Sequence, residues 1–209
     1  MSTTAALARR HALGLPAGSL RATHVIGVVG IVCGVLLIPP RGEHPIALPP
    51  YLIYLLFIMV GHYFAAHGVS IATRDDPLPS PLFLPGGLVR IFIAAALCTC
   101  IVWKLIDDHA GLLKQFETSL VALKDQPELP LVILGGFLLG VCVRAIVRNK
   151  RSAMMQDLEA WFSLIALVGL GIAAVYQVII APSLPTPYAM PTLEAVLGGM
   201  LAFYFGERS

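Results

Sequence analysis

Charge is what this sequence has least of. Only 12% of its 209 residues are Asp, Glu, Lys or Arg, whereas 57% are hydrophobic. A soluble domain carries about 25% charged residues. A chain this poor in ionised side chains cannot clothe a globule in water, which excludes a soluble enzyme and a disordered polypeptide. The formal net charge of +2 offers no footprint for a polyanion, so nucleic acid is not a partner. The expected medium is a lipid bilayer.

Catalytic patterns are missing too. There is no G-x-S-x-G elbow, no H-E-x-x-H and no G-x-x-x-x-G-K-[ST]. Asp75-Asp76 and Asp107-Asp108 are adjacent pairs in loops, where neighbouring carboxylates diverge into solvent. The four cysteines, Cys33, Cys98, Cys100 and Cys142, form no C-x-x-C. Cys98 and Cys100 are two apart, so on a helix they point to opposite sides and read as packing residues. No enzymatic activity, metal or cofactor is expected.

What the chain has in quantity is long apolar runs. A transmembrane helix needs about 20 mostly apolar residues. Six runs qualify as candidates: 24–38, 50–72, 88–106, 129–147, 160–181 and 192–206, of which the first and last are short. They are continuous rather than alternating, so helices are expected and not a barrel. Pro39, Pro40, Pro45, Pro49 and Pro50 break the chain after the first run. Pro77, Pro79, Pro81 and Pro85 do so after the second, and Pro182, Pro185, Pro187 and Pro191 after the fifth. The fold class is therefore all-α, a polytopic membrane bundle of six helices. An N-terminal cytoplasmic segment, 1–23, precedes a transmembrane domain, 24–209. The first helix carries no A-x-A site at its exit and is expected to be retained.

Orientation is set by the basic residues. With the N-terminus inside, ten of the 14 Lys and Arg residues fall on the inner side. The positive-inside rule then places both termini in the cytoplasm, as in a bacterial inner membrane. The outer loop between the third and fourth runs is acidic. Within it Leu112, Leu113, Phe116, Leu120 and Leu123 recur at helical spacing, which suits a helix in the outer headgroup layer or capping the bundle. Trp103 and Trp161 fall at opposite interfaces. On the inner side Arg148, Lys150 and Arg151 are candidates for anionic lipid headgroups.

Polar groups within the runs are few and therefore informative. His62, Tyr63 and His67, with Gln177 and Glu194, are the candidate lining of a pore or ligand site. His62 and His67 are five apart, so one helix face cannot offer both to one metal. A haem held between His24 and His67 is a third reading, because axial histidines from two helices would be needed. Glu194 also suits a helix start, where a carboxylate favours the dipole.

Small residues four apart are abundant. Gly30 and Gly34, Gly136 and Gly140, Gly169 and Ala173, Ala195 and Gly199, and Ala202 and Gly206 each form a shallow groove in which another backbone can approach. Such grooves serve packing within one bundle or association with another subunit. The first functional expectation is a non-enzymatic membrane subunit or scaffold, partnered by itself or by other membrane proteins. A channel or small-solute transporter is the alternative, and a haem-binding redox anchor the third.

Overall fold

A computed structural model describes residues 12–16, 18–39, 46–65, 82, 84, 87–147, 153–184 and 190–208. Among these residues the chain is helical, without strands. After a short 3-10 turn, Ala12–Gly14, come α1 (Ser19–Leu37), α2 (Pro50–Ala65), α3 (Leu88–Asp107), α4 (His109–Asp125), α5 (Glu128–Val147), α6 (Ala153–Val175) and α7 (Pro191–Glu207). Four helical stretches are long and apolar enough to cross a membrane: Ser19–Leu37, Leu88–Asp107, Glu128–Ile146 and Met154–Ser183. The α2 and α7 helices, 16 and 17 residues long, fall below that length.

Two boundaries differ from the apolar runs. The first helix starts at Ser19, five residues before His24. Gly18 adopts a left-handed conformation with φ of 82°, which a glycine tolerates without strain, and the helix begins directly after it. Arg21 and Thr23 interrupt the apolar run but not the main-chain hydrogen bonds, and Thr23 Oγ1 donates to the Ser19 carbonyl at 3.0 Å. At the other end of the chain, α6 starts ahead of residue 160. It then continues through a π-helical stretch, Tyr176–Ile180, into a 3-10 turn, Ala181–Ser183.

The acidic segment between α3 and α5 does fold as a helix. Asp108 caps α4, its carboxylate accepting from Gly111 N–H at 2.8 Å. The apolar stripe splits, however. Leu112, Gln115 and Ser119 are buried against the bundle, while Leu113, Phe116 and Leu120 are exposed. Helical spacing groups 113, 116 and 120 on one face and 112, 115 and 119 on another, so one stripe cannot do both jobs. The exposed stripe is the side that suits a headgroup layer.

The helices divide into an inner and an outer set. Half of the apolar window of α1 is buried, against 17–22% for α3, α5 and α6. α1 packs on α2, α3 and α6, and α7 packs on α5, α6 and α2. The outer faces are paved with large apolar side chains, among them Ile91, Phe92, Leu131, Leu138, Ile165 and Ile172. Trp103 and Trp161 are exposed as well. A surface of this kind belongs against hydrocarbon. Cys98 and Cys142 face outward, whereas Cys33 and Cys100 meet at the α1–α3 seam, where Cys100 Sγ lies 3.7 Å from the Cys33 carbonyl.

The α5–α7 seam is a backbone-to-backbone contact. A Cβ added at Gly136 would stand 2.5 Å from the Gly199 carbonyl oxygen. One at Gly140 would collide with the Phe203 carbonyl, and one at Gly206 with that of Phe137. Ala202 is fully buried, and Ala195 and Ala173 are half-buried. Gly169 receives Leu197, whose Cδ1 would be 2.9 Å from an added Cβ. Gly30 and Gly34 are the exception, because an added Cβ there meets nothing within 4 Å.

The seam makes a direct prediction. Gly140→Ala should destabilise the detergent-solubilised protein by about 1–3 kcal/mol, the usual cost of overpacking, read as a lower thermal unfolding midpoint. Gly135→Ala on the open side of the same helix, where nothing lies within 4 Å, should leave the midpoint unchanged or raise it slightly.

Candidate functional site

A polar side chain inside an apolar bundle is stable only where it finds a partner, so buried polar groups mark where the structure has been arranged around them. Among the described residues two such clusters stand at opposite ends of the bundle, and Lys104 of α3 and Gln115 of α4 are buried as well.

The outer cluster gathers α2, α6 and α7. Pro191 opens α7, and Glu194 in its first turn is only 2% exposed. Its carboxylate accepts a short hydrogen bond from the Gln177 side-chain amide. Gln177 lies in the π-helical stretch, whose wider turn alters the angle at which successive side chains leave the helix. Tyr51, fully buried, stands beside Glu194 and donates its hydroxyl to the Leu170 carbonyl at 3.2 Å. Above Gln177 lies a cavity of about 490 Å³, lined by Ile46–Pro50, Gln126, Gln177, Val178, Pro182 and Ser183. Gln126 and Tyr51 were not among the sequence candidates.

The second cluster gathers α1, α2, α3, α5, α6 and α7. His24 is fully buried, its Nδ1 2.5 Å from the Leu20 carbonyl. Its ring lies 5.1 Å from that of Tyr204 and edge-on to Phe205 at 6.2 Å. His62 also meets Phe205, at 6.1 Å, and Phe137 at 6.0 Å. One phenylalanine of α7 therefore contacts both histidines. Around them Arg21 donates to the Arg208 carbonyl at 3.0 Å, and Arg208 faces Glu159 at 3.9 Å and lies over Tyr204. Arg90 lies 5.9 Å from the rings of both Tyr63 and Phe64, an example of a cation held over aromatic faces.

The sequence candidates are thus brought together in part. Gln177 and Glu194 form one site. His62 and Tyr63 sit at the far end, eleven and twelve residues along α2 from Tyr51, which is about 16 Å or more at 1.5 Å per residue. Between the clusters the fully buried side chains are Leu52, Leu55, Met59, Leu170 and Leu201. His67 lies outside the described residues, as do Arg148, Lys150 and Arg151. The His24 ring stands beside Tyr204 and Phe205, and His67, the second histidine of the haem reading, is not described.

Removing the donor from a buried acceptor costs about 1–3 kcal/mol. Gln177→Leu should lower the unfolding midpoint by that order, while the double variant Gln177→Leu with Glu194→Leu should recover part of the loss. Thermal unfolding of the three proteins in one detergent checks the cycle. Compared with protein families, curated proteins and solved structures, the chain matches none.

Proposed function

We propose that this chain is a non-enzymatic integral membrane subunit, a scaffold or accessory piece of a homo-oligomeric or larger assembly in a bacterial inner membrane. Six helices, α1, α2, α3, α5, α6 and α7, cross the bilayer with both termini in the cytoplasm. What supports six crossings is the arrangement of helix ends. The starts of α1, α3 and α6 and the ends of α2 and α7 meet in the cluster around Arg21, Arg90, Glu159 and Arg208. Arg144, at the end of α5, lies within electrostatic reach of Arg21 and His62. Each of the six therefore runs from this basic end to the opposite one, and the basic end is the one the positive-inside rule assigns to the cytoplasm.

The observation that carries the subunit reading is the open groove on α1. Gly30, Cys33, Gly34 and Leu37 form one face of the helix at intervals of three and four. Beside them Phe92, Ala95, Ala96, Thr99, Cys100 and Trp103 of α3 wall a cavity of about 560 Å³ with Cys33 and Leu37. The other small-residue grooves, on α5, α6 and α7, are filled within the bundle. This one accepts a further transmembrane helix at close range. The dry stretch of Leu52, Leu55, Met59, Leu170 and Leu201 between the polar ends supports a subunit over a conduit.

Native mass spectrometry of the full chain in a mild detergent should show an assembly larger than one chain. Gly30→Leu with Gly34→Leu should reduce it to monomer with the unfolding midpoint of the monomer unchanged, since neither site has a neighbour within 4 Å. A wild-type particle that is strictly monomeric and partner-free would sink the reading, as would an assembly indifferent to both substitutions.

A further inference from the structure

The outer cavity has an unusual balance of hydrogen-bonding groups. Several of its donors are committed to partners in the chain. Leu48 N–H is given to Ser119 Oγ at 2.9 Å, and Ser183 Oγ donates to the Ile180 carbonyl at 2.7 Å. Pro49, Pro50 and Pro182 have no N–H at all. The Gln177 amide nitrogen faces the Glu194 carboxylate, which as an acceptor dictates which end of the amide turns toward it.

The acceptors are left over. Gln126 Oε1 is buried with no hydrogen-bond partner among the described residues. Gln177 retains its side-chain carbonyl oxygen. Directly behind Gln177 is the buried Glu194 carboxylate. Among the described residues no Lys or Arg lines the cavity. A site rich in acceptors and backed by a carboxylate selects a donor with positive charge.

Size and wall character narrow the ligand. At about 490 Å³ the cavity is far larger than a metal ion and falls within the range of small-molecule pockets, roughly 300–1,000 Å³. Ile46, Leu48, Val178 and three prolines supply apolar walls beside the polar patch. The matching ligand has an apolar body and a compact cationic head bearing N–H groups.

We propose that this cavity binds a small organic cation, a primary ammonium or guanidinium on an apolar body, with Gln126 and Gln177 accepting its N–H groups and Glu194 supplying the counter-charge. The site is independent of the helix-docking face on α1, so it stands or falls separately from the subunit reading. Glu194 is a positioning and counter-charge group here, acting through Gln177.

The test is calorimetric titration of the full chain in detergent with 2-phenylethylammonium, with protein-free micelles as the blank. Saturable binding is expected. The neutral 2-phenylethanol should not saturate, and phenylethyltrimethylammonium, which lacks N–H donors, should bind about tenfold more weakly or worse, as expected for losing a charge-assisted hydrogen bond. Glu194→Gln, which keeps the side-chain volume, should weaken the ammonium by a similar factor. Gln126→Leu, on the cavity wall, repeats the test should Glu194→Gln fail to fold, with the ligand-free unfolding midpoint reporting which case holds. Absence of saturable binding, equal binding of the alcohol, or affinity unchanged in both folded variants would overturn the proposal.

Discussion

In hydrocarbon a helix gains nothing by hiding its leucines, because the lipid tails around it are as apolar as any core. What holds this bundle together is therefore the distance at which two backbones can approach, and α5 and α7 approach as closely as glycine permits. Gly136, Gly140, Gly199 and Gly206 remove the side chains that would hold the helices apart, and main-chain carbonyls of each helix then touch the other. Dispersion contacts of this kind are individually small and sum along the seam. The seam also positions the rest. α7 carries Glu194 at one end and Tyr204, Phe205 and Arg208 at the other, so both polar clusters inherit their placement from its contact with α5.

The apolar runs made most of the helices legible. Hydropathy reports where a chain prefers lipid, and α3 and α5 coincide with their runs to within one residue. It does not report where hydrogen bonding begins. Ser19, Arg21 and Thr23 are helical although they break the run, because the left-handed Gly18 sets the start, whatever the polarity of the first helical turn. The leucines of α4 show a second limit. Helical spacing was visible there, but the face buried against the bundle is Leu112, Gln115 and Ser119, chosen by what lies beneath and not by which stripe is greasiest. Small-residue spacing has the same limit. Gly30 with Gly34 and Gly136 with Gly140 look alike in the chain, yet one pair is open and the other filled, since the second half of each contact sits elsewhere in the sequence.

The outer site was legible as two residues and not as a place. Gln177 and Glu194 stood out because polar side chains are rare in these runs. Their pairing depends on a π-helical turn, which is a property of main-chain geometry and leaves no periodic trace. Gln126 was invisible for the opposite reason. It lies in a polar loop, where a glutamine is unremarkable until burial leaves its oxygen without a partner. The two histidines illustrate the converse error of proximity. His62 and Glu194 share a bundle, but several turns of Leu52, Leu55 and Met59 stand between them.

This separation constrains how the outer cavity can affect the rest of the molecule. Any influence must travel along a helix, and α6 and α7 are not equivalent in that respect. Sliding α7 would move its glycines away from the main-chain carbonyls they lie against on α5, and bring side chains into the seam. α6 meets α7 through side chains, as where Leu197 fills the space over Gly169, and side chains can change rotamer as a helix shifts. The π-helical stretch that carries Gln177 is also the one place where α6 departs from regular hydrogen bonding.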